Sequence, residues 1–193
     1  MKKITLYVMM CLVLSAGSVA ADECLWNAAV VVGGSNSGGD GMGGLGVEVT
    51  REFGRNLEVG FHAYAQSEVS NEYKDAEGNE YHLTSGYSAL LVKPKFRIGE
   101  RLEIGLPLET GTGLLQYRYM GEYREDVRWT EEILDQVTHS IYSAGLEPKL
   151  FFNRHSAVSL AVGYRGTGPL RTSLADSGEL NGVWGRMSYS YRF

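Results

Sequence analysis

Val183-Trp184-Gly185-Arg186-Met187-Ser188-Tyr189-Ser190-Tyr191-Arg192-Phe193 decides the reading of this sequence. Alternate positions Val183, Met187, Tyr189, Tyr191 and Phe193 are apolar or aromatic, with Gly185 as the gap. The other set is Arg186, Ser188, Ser190 and Arg192, with Trp184 at its outer end. A period of two is that of a β-strand with one oily face. Terminal residues fray unless something holds them. An aromatic at the last position therefore needs an apolar setting, and in an exported chain lipid provides one.

The same alternation recurs upstream. Strands are expected at 26–34, 42–53, 57–66, 83–98, 101–119, 137–152 and 156–167, with the closing strand at 180–193. The clearest is 57–66, where Leu57, Val59, Phe61, Ala63 and Ala65 oppose Glu58, Gly60, His62, Tyr64 and Gln66. Between strands, Gly54-Arg55-Asn56, Gly99-Glu100 and Asn153-Arg154-His155 are tight turns. The segments 35–41, 67–82, 120–136 and 168–179 are the longer connections, and Trp129-Thr130-Glu131-Glu132 suits one helical turn. Long and short connections alternate strictly, and both ends of the barrel segment fall at the short-turn end. An even number of roughly ten-residue strands joined in this way is the layout of an all-β, eight-stranded, antiparallel up-and-down transmembrane β-barrel.

Alternation alone does not say which face looks at lipid, because a soluble barrel shows the same period with its faces reversed. The polar set mixes long charged residues with very small ones such as Gly60, Gly105, Gly111, Ser143, Gly145, Ser159, Ala161 and Gly163. A water-facing strand gains nothing from glycine, whereas a narrow lumen needs small residues beside long ones. The charges of this set also nearly balance. Glu48, Glu52, Glu58, Glu103, Glu109 and Glu147 stand against Lys93, Lys95, Arg97, Lys149, Arg165, Arg186 and Arg192. These thirteen residues are the expected lumen charge network. Folding the hairpins in register sets Arg97 opposite Glu103, His62 opposite Glu48, and Glu52 opposite Glu58. The last is a repulsive pair that needs Arg192, Lys95 or Arg97 between its members. The network reads either as a packed electrostatic plug or as a conducting pathway. Outward members of Tyr117, Tyr119, Tyr142, Tyr164 and Trp184 at the outer strand ends would form one aromatic girdle. Those of Phe53, Phe96, Phe152, Tyr191 and Phe193 at the inner ends would form the other.

The chain has 193 residues, enough for one domain. Lys2 and Lys3, the apolar run Ile4–Leu14 and Ser18-Val19-Ala20 make residues 1–20 a signal peptide, leaving 21–193 as the barrel domain. The formal charge is -5, and -7 once Lys2 and Lys3 are removed, which argues against a nucleic-acid partner. Cys24 is the one cysteine of the mature segment, so no internal disulfide and no multi-cysteine zinc site is expected.

Catalytic signals are weak, and no cofactor or metal is expected. Asp126, Glu131, Glu132 and Asp135 form an acidic loop whose spacing matches no dedicated calcium loop. The glycine-rich Gly33–Gly41 lacks the Lys-Ser/Thr ending of a phosphate loop. His139-Ser140, with Glu131 and Glu132 nearby, shares residue types with the outer-membrane lipid A deacylases. A hydrogen-bonded pair on one strand face must be two residues apart, and these are adjacent.

With Met187-Ser188-Tyr189-Ser190-Tyr191-Arg192-Phe193 and the eight-strand layout together, the mature chain resembles the small outer-membrane barrels typified by the OmpA membrane domain and OmpX. The resemblance implies residence in the outer membrane and contact with its lipid. It also implies insertion by the barrel-assembly machinery, with Tyr189, Tyr191 and Phe193 as the C-terminal assembly signal. It implies a non-enzymatic structural or adhesion-type role in which the four outer loops meet an unknown surface ligand. A narrow pore is the alternative, and a lipid A-modifying hydrolase built on His139 is a third reading.

Overall fold

A computed structural model describes residues 25–37, 40–68, 73–74, 80–120, 131–170 and 180–193. Residues 1–20, expected to be a signal peptide, Cys24 and Trp129-Thr130 lie outside the described residues.

The described chain is ten strand segments and no helix: β1 Trp26–Ser37, β2 Asp40–Phe53, β3 Leu57–Glu68, β4 Tyr73–Lys74, β5 Glu80–Ile98, β6 Leu102–Gly105, β7 Leu108–Met120, β8 Glu131–Phe151, β9 Ser156–Thr167 and β10 Gly182–Arg192. They form eight staves. β6 and β7 are one stave interrupted at Leu106-Pro107, since proline has no N–H to give to a ladder. Register is unbroken across the gap, because Leu106 N–H donates to the Pro94 carbonyl and Gly145 N–H to the Pro107 carbonyl. β4 is a two-residue arm on β5.

All pairings among the described residues are antiparallel, and β10 pairs β1 from Asn27↔Arg192 to Ser37↔Gly182, which closes the eight staves into a barrel. One row of partners runs Asn27, Thr50, Gly60, Leu91, Glu109, Ser143, Arg165, Gly182 and back to β1 at Ser37. The row returns ten residues above its start. Eight strands with that stagger tilt by about 40° and close at a radius of about 8 Å, just wide enough for side chains to fill.

The turns follow from their residues. Gly54 and Gly99 have φ of 63° and 68°, a left-handed backbone that side chains resist. Asn153 Oδ1 accepts from the backbone N–H groups of His155 and Ser156, each at 2.8 Å, closing the third turn.

Two expectations change. Ser37 pairs with Asp40, so the first outer connection is residues 38–39 alone instead of 35–41. Gly41 belongs to β2 and pairs with Asn36. Glu131–Gln136 belongs to β8 and pairs with β7, with a register shift at Tyr117/Arg118, so no helical turn begins at Glu131. Ladder pairing satisfies these polar residues' backbones without any alternation in their side chains. Tyr117 falls on the inward set and is buried, so it is no girdle member.

Candidate functional site: the filled interior and the outer wall

The wall and the centre are inverted relative to a soluble protein. Val30, Val47, Phe61, Leu108, Leu146, Leu160, Val162, Met187 and Tyr189 are exposed on the outside, Leu160 at 60% and Tyr189 at 52%. Inside, Lys93 and Lys95 are 1% exposed and Glu58 is 0% exposed. Phe96, Phe152, Tyr191 and Phe193 point outward at the turn end, and Tyr142 and Tyr164 outward at the opposite end. Trp184 instead lies inside the barrel.

The interior is layered. Nearest the turns, Glu52 faces Glu58 across the β2–β3 ladder. Lys95 Nζ sits 3.1 Å from Glu52 and 2.8 Å from Glu58, and reaches Glu103 at 3.5 Å. Arg192 also pairs with Glu52, reaching past β1 to the next strand but one. Arg97, which the sequence offered as a third candidate, contacts Glu103 at 3.5 Å and stays half in solvent. One layer up, Lys93 Nζ donates to Glu48 at 2.8 Å and contacts Glu147 at 2.9 Å. Lys149 lies 3.6 Å from Glu58. Glu58 is the hub: Lys95, Lys149 and Lys93 surround it, and Thr50 donates its hydroxyl to it at 3.3 Å. Taking so many charges from water costs several kcal/mol per ion, and only multiple partners per charge offset it.

At mid-height Glu109 holds a second knot. Arg186 Nη1 donates to it at 2.7 Å, Ser143 Oγ at 2.8 Å, and His62 Nδ1 lies 2.9 Å away. His62 stands in register with Glu48 but reaches past β5 to Glu109, while Glu48 is held by Lys93. Arg165 donates to Tyr87 Oη at 2.9 Å and lies over that ring. Arg186 stacks 3.7 Å from the Trp184 ring centroid.

Trp184 fits only because Gly145 and Gly163 oppose it. A Cβ on Gly145 would sit 2.7 Å from the indole, and one on Gly163 would strike both the indole and the Ala144 carbonyl. Gly163→Ala is expected to destabilise the barrel by about 1–3 kcal/mol, because rigid backbone blocks relaxation. Urea titration of gel mobility in vesicles would measure this.

Above the knots the interior becomes apolar. Val31, Tyr64, Tyr87, Ala89 and Ile141 pack together, and Met42, Leu83, Leu115, Tyr117 and Leu180 form a cluster beyond them. Sequence reading missed both clusters. Doublets such as Leu90-Leu91 and Leu114-Leu115 put one apolar residue on each face, so they carry no period.

His139 points inward and is 5% exposed, whereas Ser140 faces outward. The two cannot share one substrate atom. The side chains of Glu131 and Glu132 lie outside those described. Among the described residues no cluster of three or more His, Cys, Asp or Glu is placed to hold a metal ion.

Closure, a greasy outer band and a charge-filled centre define a membrane-embedded β-barrel of the outer-membrane class. Solved structures of that class share the fold. A major outer-membrane protein of Thermus thermophilus matches with a TM-score of 0.59 at 10% identity, covering 89% of this chain and 100% of that one. OprG of Pseudomonas aeruginosa matches with a TM-score of 0.54 at 11% identity, covering 88% and 96%. Ail, the attachment invasion locus protein of Yersinia pestis, matches with a TM-score of 0.52 at 15% identity, covering 89% and 100%. No protein-family model matches the chain, and no curated protein matches it by sequence. The chain has the fold of the eight-stranded outer-membrane β-barrels.

Proposed function

We propose that this protein is a non-enzymatic outer-membrane barrel with a structural or surface-interaction role, whose interior is a sealed core. The observation that carries the reading is the Glu58 hub, with three lysines around one fully buried carboxylate in a barrel of about 8 Å radius. A pathway for ions needs water around its charges, and these charges contact one another. The thirteen-residue network then serves folding, and Tyr189, Tyr191 and Phe193 serve recognition by the assembly machinery.

The surface role falls to the outer connections. The first is a two-residue hairpin, so three long segments carry it. These segments are acidic in sequence. Glu68, Glu72, Asp75, Glu77 and Glu80 outnumber Lys74, and Glu122, Glu125, Asp126, Glu131, Glu132 and Asp135 outnumber Arg124 and Arg128. One of the Ail structures holds the heparin analogue sucrose octasulfate. The acidic segments here would repel such a polyanion, so a cationic surface is the partner that fits.

In planar bilayers the purified protein should give no stable single-channel steps at high salt. Reproducible steps would reject the sealed core and favour the narrow-pore alternative. Cells producing the protein should adhere to polylysine-coated more than to heparin-coated surfaces. Replacing residues 121–130 by a short Gly-Ser linker should weaken that preference.

A further inference from the structure

A basin of about 940 Å³ opens at the turn end, lined by Leu25, Arg55, Arg97, Arg101, Phe151, Phe152, Arg154, His155 and Arg192, with Glu100 as its one carboxylate. Short turns are the periplasmic side of such barrels. The floor is blind, because the Lys95–Glu52–Glu58–Glu103 layer closes the lumen above it. The chain carries a formal charge of -5, yet this mouth is strongly positive.

We infer that this mouth binds the phosphate headgroup of an anionic phospholipid from the periplasmic leaflet. Two sets of arginines build the site. Arg97 and Arg192 form its base, their guanidiniums 5.3 and 4.8 Å from the centre of the same Phe151 ring. Arg192 is nine-tenths buried and its Nε has no partner, while His155 Nδ1 donates to its carbonyl at 2.9 Å and steadies the strand end. Arg55, Arg101 and Arg154 stand exposed on the three turns, with no ion pair among the described residues. Those three are available to a ligand, and guanidinium forks match phosphate oxygens two at a time.

The apolar half of the rim selects lipid over a soluble anion. Phe152 lines the basin and is 60% exposed. It continues the outward band of Phe96, Ile98 and Phe193 at the same end. Acyl chains lying along that band bring their phosphate to Arg101 and Arg154. A free phosphate ion would meet the cations and gain nothing from the aromatics.

The test uses the full barrel in neutral detergent, titrated calorimetrically with dihexanoyl phosphatidylglycerol, dihexanoyl phosphatidylcholine and inorganic phosphate. The phosphatidylglycerol should bind at least about tenfold tighter than either of the others. A triple variant, Arg55→Gln, Arg101→Gln and Arg154→Gln, should lose that preference while keeping heat-modifiable mobility. Equal binding of the two lipids by the unaltered protein overturns the inference, and this arm needs no variant. So does undiminished preference in the triple variant. Inorganic phosphate binding as tightly as the anionic lipid would make the ligand a soluble ion and overturn the lipid assignment.

Discussion

Glu58→Gln should destabilise the folded barrel by about 3–5 kcal/mol, the loss expected when one partner of a buried ionic cluster is removed. Glu58 is 0% exposed and is the shared counter-ion of Lys93, Lys95 and Lys149. The amide keeps the volume and accepts the Thr50 hydroxyl, so packing is held constant and charge alone changes. Three ammonium groups would then lean on Glu48, Glu52, Glu103 and Glu147, each already engaged with a cation. Arg97→Gln is the control. Its side chain is 42% exposed, with one ion pair at 3.5 Å and the Phe151 ring 5.3 Å away, so it should cost less than about 1 kcal/mol. Urea unfolding in vesicles, followed by gel mobility, reads both. Equal effects would mean that the interior is hydrated and the hub is not a core.

Leu160→Arg should cost about 2–4 kcal/mol in bilayers, the penalty for a cation on the lipid face near the midplane. Leu160 lies midway along the outward set Val158, Leu160, Val162 and Tyr164 of β9, and is 60% exposed. On a soluble protein an arginine at so open a position would change stability by about 0.5 kcal/mol or less. The outcome therefore separates hydrocarbon from water as the medium around the wall. Val183→Arg, near the outer end of β10, should cost less, since the penalty falls towards the interface. Equal costs at the two positions would contradict a depth-dependent lipid setting.

The wall was legible in the sequence because its signal is strictly periodic. Leu57, Val59, Phe61, Ala63 and Ala65 alternate with a second set, and small residues among the charges of that set assigned the faces. Hairpin register was legible too, since tight turns fix it: Ile98↔Leu102, Arg97↔Glu103 and Glu52↔Glu58 are all present.

Contacts between strands that share no ladder were legible only where a repulsive pair demanded a cation: Arg192 and Lys95 meet Glu52 as expected. His62 stands in register with Glu48 yet meets Glu109, a choice that depends on stagger and closure. The upper apolar filling was hidden because a doublet such as Leu114-Leu115 shows the same residue on both faces. The first outer connection was misread because glycine marks turns in most settings. In a narrow barrel it also marks places where a side chain lies flat on backbone, as Trp184 does on Gly145 and Gly163.

The inverted arrangement predicts function only through what it closes. In the function proposed above, salt-bridged layers below and apolar clusters above leave the activity to the two ends, one acidic in sequence and one basic. That division rests on the wall facing hydrocarbon. Nitroxide labels on single cysteines at position 160 and at position 155, in a Cys24→Ser background reconstituted in bilayers, measure it directly. The account predicts frequent collisions with oxygen and few with a water-soluble nickel chelate at 160, and the reverse at 155. A label at 160 that the nickel chelate reaches as readily as at 155 would contradict it.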